Sequence, residues 1–291
     1  MKKSIFKASF EESLNLEDDG FVKLQQEQHD KTAKFFKNGY ASLWFRIRSL
    51  ILSLIFPVGF NFFLLIVSME FHESKTLTLP IARHESLTVN VFLILLLIWL
   101  SFVLIGKWVK RAYLLPYRYQ FHVFTFLVWF ILEIDLVVFD ILLVNLSIVE
   151  IIAIYGIMMI ATYMLFTIAL AGLRKLMYAE ISRDTFLNKI AKMISLYGMA
   201  IIGIGILIKH ILGLFSLDIS TSIKAFGFLL MWIFCNIVVV CVSAFIGLPY
   251  FLQAYYKWKY PEEYREWEGK SLEDWYGKKY LNKHKELLKN E

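Results

Sequence analysis

Cysteine is nearly absent: only Cys235 and Cys241 occur in 291 residues. Both fall in one apolar run, so they cannot staple an external loop and they suit ordinary packing. Also missing are a glycine-rich phosphate loop, a His-Glu-x-x-His helix, a Gly-x-Ser-x-Gly elbow and a Cys-x-x-Cys pair. Those absences remove the motif-bearing nucleotide-binding, metalloprotease, serine-hydrolase and thiol-redox classes. With no nucleophile–base or metal constellation, the chain is not read as an enzyme, and no cofactor or metal is expected. The opening stretch MKKSIFKASFEESLNLEDDG turns acidic where a signal peptide needs an apolar run, so no cleavable leader is expected.

Apolar residues are abundant: 58% of the chain is hydrophobic and 17% aromatic, more than a water-soluble core requires. The excess is clustered into runs at 46–69, 88–106, 121–145, 148–172, 194–217 and 225–252. Each is long enough for a helix to cross a hydrocarbon layer of about 30 Å. The runs are continuously apolar and do not alternate as barrel strands do, and only helices or closed barrels satisfy the backbone in lipid. The expected fold is therefore all-α: a polytopic integral membrane protein of about six transmembrane helices. A 1–45 arm precedes the 46–252 body, and an aromatic, charged helical tail, 253–291, follows it.

Charge sets the expected orientation. Nine Lys and Arg precede or open the first run, four lie in 107–120, five in 173–193 and nine after residue 256. The opposite side offers only Lys75, Arg83 and Lys224. Lys and Arg near span ends stay on the cytoplasmic side, which places both termini there, in the cell membrane. A basic face meeting anionic lipid accounts for the net charge of +6 without nucleic acid.

In the arm, KTAKFFKNGYASLWF reads as an amphipathic surface segment. In the tail, Ser271 with Asp274 reads as a helix cap, and Leu272, Trp275, Tyr276 and Tyr280 follow helical spacing. That stripe needs cover: the bilayer interface, the protein's own loops, or a partner.

The rule-breaking residues are the informative ones. WFILEIDLVVFD, residues 129–140, sets Glu133, Asp135 and Asp140 in an apolar run. On a helix His122, Glu133 and Asp140 fall within about 20° of one stripe, over roughly 27 Å of depth, and Asp135 points the opposite way. Such a helix cannot show either face to lipid, so the third span is expected at the centre, its acids paired, hydrated or protonated. Lys209, the one basic residue deep inside a run, is the expected partner of Asp140. Gly198 and Gly205 share a face that admits a close helix neighbour. Pro57, with Gly59 and Asn61, should kink the first span. His72, Glu73, His84 and Glu85 are read as solvated loop residues, with zinc a weak alternative.

The expectation from these residues is a small transport or permeation protein with a polar route of His122, Glu133, Asp140 and Lys209. A related form is the membrane subunit of an exporter, with a separate ATPase docking on loops 107–118 and 173–192. The alternative is a non-transporting membrane partner, an accessory subunit or a toxin-immunity protein, whose buried charges serve assembly.

Overall fold

The computed structural model describes residues 3–20, 22–23, 29–31, 34, 42–73, 80–106, 108, 110–179, 186, 189–198, 200 and 221–289, and no strand occurs among them. A short helix α1, Phe10–Leu14, starts at a Ser9–Glu12 capping box. The long helix α2 spans Leu43–Glu73. Its N-terminus is closed by Ser42, whose hydroxyl accepts from the Phe45 amide. Around Pro57 the helix opens into a π turn, Leu54–Gly59, because proline lacks an N–H and crowds the preceding turn. Asn61 Nδ2 donates to the Pro57 carbonyl at 2.7 Å. The kink expected from Pro57 therefore takes the form of one widened turn.

Helix α3, Val89–Gly106, is followed by α4, Leu115–Asn145. Helix α5, Ile148–Met177, opens on a Ser147–Glu150 capping box that turns the chain back at once. Residues 189–198 form α6. Helix α7 begins as Thr221–Cys241, passes a π turn at Val242–Gly247 and continues as Leu248–Lys259, with Pro249 just after the widened turn. Among the described residues four helices are long and apolar enough to cross a membrane: Leu43–Glu73, Val89–Gly106, Ile148–Met177 and Phe226–Lys259; α4, which holds the expected third span, is not one of them. The fifth expected span, 194–217, lies largely outside the described residues, as does the surface segment expected near 31–45.

Two boundaries differ from expectation with consequences. The first helix continues four residues past the apolar run, through His72 and Glu73, which were read as loop. A helix needs only backbone hydrogen bonds to continue, so hydropathy underestimates its length. The arm and the tail, read as separate regions, fold together.

Helix α4 packs against α2, α3, α5 and α7. One side joins Trp129 and Val137 to Leu65 of α2 and to Phe92 and Trp99 of α3. The other side joins Val138 and Leu142 to Ile151 of α5 and Trp232 of α7. Glycines set the tightest approaches. A Cβ on Gly198 of α6 would stand 2.6 Å from Val238 Cγ2 of α7, and one on Gly247 would stand 2.8 Å from the Phe124 ring. The outward faces of α3 and α5 expose Leu97, Leu104, Ile152, Ile160 and Met159, a surface suited to acyl chains and costly in water.

At the end of the bundle where α4 begins, the arm and the tail make a cap. Helices α8, Pro261–Trp267, α9, Leu272–Tyr276, and α10, Lys278–Leu281, cover Tyr113, Leu173 and Met177. Tyr113 stacks on Trp275 at 4.4 Å, and Tyr276 stacks on Tyr280 at 5.4 Å. The tail stripe of Leu272, Trp275, Tyr276 and Tyr280 is thus covered by the protein's own chain, each buried apolar side chain contributing about 1.5–3 kcal/mol. The arm is tied in by backbone. Ala8 N donates to Tyr256 Oη at 3.0 Å, Tyr256 Oη donates to the Ile5 carbonyl, and Asn15 Nδ2 donates to the Met177 carbonyl at 2.8 Å. Of the segment 107–118, considered as a docking site, Tyr113 lies in this cluster, and Tyr117 packs on Tyr250 and donates to Gln253 at 2.7 Å.

The cap buries charge with partners. Lys257 Nζ lies 2.7 Å from Glu268, whose other oxygen meets Lys270 at 2.6 Å. Burial opposes ionisation of Glu268, but the two ammonium groups outweigh it and hold its carboxyl below the usual range. His29 sits between the rings of Tyr117 and Tyr250, its Nδ1 2.9 Å from Tyr250 Oη. Burial, reinforced by repulsion from Lys257 and Lys270 against the attraction of Glu268, lowers the His29 pKa to about 3.

Candidate functional site

Helices α2 and α4 run side by side in the same direction. Phe45 meets Tyr119, Phe60 meets Phe130 and His72 meets Asp140, so the two helices stay in contact along their length, with a register that drifts by only two residues between the last two pairs. That register brings the buried polar residues of α2 level with the acids of α4. Asn61, Ser68, Glu133 and Asp140 are all 0% exposed. At about 1.5 Å of rise per residue, Ser68 lies roughly 5 Å to one side of the Glu133 level and Asn61 a few Å to the other.

Glu133 is held by its own helix. The Trp129 indole, one turn earlier, donates Nε1–H to Glu133 Oε1 at 2.6 Å. Glu133 Oε2 has no hydrogen-bond partner, and no cation among the described residues pairs with it. Trp129 is fixed in turn by Trp99 at 5.7 Å and Phe92 at 5.9 Å. The Trp99 Nε1, the Ser68 hydroxyl and the Asn61 Oδ1 are likewise buried without partners. Four orphaned polar atoms thus lie on one seam between α2, α3 and α4. Buried polar groups are normally satisfied, so this concentration of unmet atoms is unusual.

Asp140 is satisfied. Ser86 donates its amide to Oδ2 at 2.8 Å and its hydroxyl to Oδ1, and the Asp140 backbone carbonyl accepts from Ala82 N at 2.9 Å. His72 Nε2 lies 3.6 Å from Asp140 Oδ2. Asp140 therefore pins residues 80–88 onto the end of the bundle. Its pairing with Lys209 is not placed, since Lys209 lies outside the described residues.

Asp135, on the opposite side of α4, accepts Trp232 Nε1–H at 2.6 Å and Asn236 Nδ2–H at 2.9 Å, both on its Oδ1. The two acidic faces are thus differently equipped: Asp135 is tied to α7, and Glu133 faces the orphaned seam. His122 shares the stripe but sits at the far end, packed on Gly106, where a Cβ would come within 2.9 Å of its ring; its Nδ1 is unpartnered. Gly198 makes the close approach expected of it, and Gly205 lies outside the described residues. Among the described residues no group of three or more His, Cys, Asp or Glu could hold a metal ion.

Sequence reasoning missed His72, Ser68, Trp129 and Ser86 as members of this site. One signal was present: Asn61, Ser68 and His72, spaced by seven and four, form a helical stripe once the first helix is carried past residue 69. Comparisons with protein-family models, with curated proteins and with solved structures find no match.

Proposed function

We propose that this chain is a six-span protein of the cell membrane, both termini cytoplasmic, that moves a proton or small cation along the seam between α2, α3 and α4. The charge bias of 27 Lys and Arg against three supports the orientation. The carrying observation is Glu133: wholly buried, bonded through one oxygen to Trp129, and open at the other. An uncompensated carboxylate in the bilayer costs at least about 2.5 kcal/mol, which a mobile positive species removes on binding. His122 marks the inner end of the route and Asp140 the outer end. Purified protein in liposomes, under an imposed pH or cation gradient, tests this. Wild type carries a flux that Glu133→Gln abolishes; the absence of any flux dependent on Glu133 ends the proposal.

A second reading, a non-transporting membrane partner such as an accessory subunit or a toxin-immunity protein, draws on Asp135 and Asp140. Asp135 is bonded through one oxygen by two side chains of α7, and Asp140 through both oxygens by Ser86, as assembly ties would be. Toxin challenge of cells with and without the gene, and with Glu133→Gln, separates the two: protection indifferent to Glu133 favours the partner role.

A further inference from the structure

The outer end of the seam contains a pair whose hydrogen inventory does not close. His72 Nδ1 lies 2.7 Å from the Ser68 carbonyl, which can only accept, so Nδ1 carries a proton. In a neutral imidazole the other nitrogen, Nε2, then presents a lone pair. Nε2 faces Asp140 Oδ2 at 3.6 Å, is buried, and has no hydrogen-bond partner among the described residues. Both Asp140 oxygens already accept from Ser86. A neutral His72 beside an ionised Asp140 therefore sets two lone pairs against each other, with one place for a proton between them. The His72 and Asp140 side chains are 10% and 0% exposed, so His72 alone of the pair reaches the surface.

We infer that His72 and Asp140 form the outer proton-transfer pair of the seam, and that the species carried past Glu133 is a proton and not a metal cation. This rests on the route proposed above. In transfer, a proton arriving from the Glu133 level adds to the His72 Nε2 lone pair, giving an imidazolium against the Asp140 carboxylate. It leaves to external water, restoring the neutral ring: an O–H bond breaks at the donor as N–H forms, then N–H breaks as O–H forms on water, with no change of oxidation state. The Ser68 hydroxyl, orphaned and about 5 Å above the Glu133 level, can accept and donate on the way. The lining also favours a proton over a metal. The unpartnered Trp99 indole N–H can only donate and would repel a cation beside it, whereas the His72 Nε2 lone pair at the outer end takes a single proton. Among the described residues, other titratable or charged groups at this end are Glu70 and Glu73 on α2, Arg83, His84 and Glu85 on the loop and Glu150 in the first turn of α5; Glu70, Glu73, Arg83, His84 and Glu150 are exposed and Glu85 is partly so. Helix α3 presents none there.

Full-length protein in liposomes, loaded with a pH dye and assayed in parallel for radioactive sodium and potassium, tests the inference. His72→Gln removes the proton site. His72→Lys keeps a cation beside Asp140, and so keeps any purely structural ion pair, but holds its proton through the neutral range. The expected result is a proton flux abolished by Glu133→Gln and reduced at least tenfold by both His72 variants, while His72→Lys keeps the wild-type melting midpoint. Wild-type flux in His72→Lys overturns the inference and makes the pair a structural staple. Flux that depends on Glu133 but is carried by sodium or potassium overturns the inference and leaves the seam as a route. Loss of every Glu133-dependent flux removes both.

Discussion

Trp129 and Glu133, one helical turn apart on α4, are joined by an indole N–H···O bond of 2.6 Å that leaves the second carboxylate oxygen with no partner. Because the indole is itself wedged against Trp99 and Phe92, the carboxyl group cannot swing away from the seam. Replacing Trp129 with Phe keeps most of that packing and deletes the donor. It should destabilise the protein by about 1–3 kcal/mol, the cost of an unmet buried acceptor. Thermal unfolding in detergent checks this, and Glu133→Gln, which needs no charge compensation, should melt no lower than wild type.

Asp135 is tied to α7, and the proposed route does not include it. Asp135→Ala strands the Trp232 and Asn236 donors in the interior and should cost about 1–3 kcal/mol. Restoring apolar complementarity with Trp232→Phe and Asn236→Leu should recover much of the loss. Proton flux per folded molecule should be unchanged in the triple variant, whereas a flux loss like that of Glu133→Gln would place Asp135 on the route.

The contact between α6 and α7 depends on a missing methyl. Gly198→Ala would put a Cβ 2.6 Å from Val238 Cγ2, and Val238 is 0% exposed, so the clash cannot relax outward. A penalty of about 1–3 kcal/mol is expected. The same substitution made in a Val238→Ala background should cost clearly less, and a double-mutant cycle of melting midpoints measures the difference.

Acid should release the arm from the cap. His29 is buried neutral, its pKa lowered to about 3 from an ordinary value of 6.5, so the undocked arm binds the proton more tightly than the docked one. The contribution is complete above pH 6.5 and falls as pH drops from there towards 3, by about 1.4 kcal/mol at pH 5.5. Glu268, held below the usual carboxylate range, acts in the same direction but only at lower pH. Hydrogen exchange of residues 3–20 should accelerate between pH 7 and 5.5 after correction for intrinsic rates. His29→Phe should remove most of that dependence.

How far these features could be read in advance depends on whether they are local to one helix. The acids on two faces of residues 121–145 already required partners on both sides, and α4 has them. Pro57 was expected to kink its helix and stands in a widened turn, and Gly198, expected to admit a close helix neighbour, stands against Val238; each follows from the residue's own backbone or volume. The tail stripe was legible as a stripe, but not what covered it: Tyr113 and Tyr256 lie far away in sequence. His72 was misplaced for a different reason. Hydropathy reports where lipid ends, and the helix goes on beyond that point.

The amino-acid sequence alone determined that the chain is helical, that lipid is its solvent, and that residues 133, 135 and 140 cannot face it; composition and a 3.6-residue period are enough for that. Only the tertiary structure decided which acid is satisfied and which is left open. Ser86 reaches Asp140 across 54 positions and Trp232 reaches Asp135 across 97, while nothing among the described residues reaches Glu133 Oε2. Those pairings depend on the rotation and register of one helix against the next, which are set by the packing of many side chains at once and are written in no single segment.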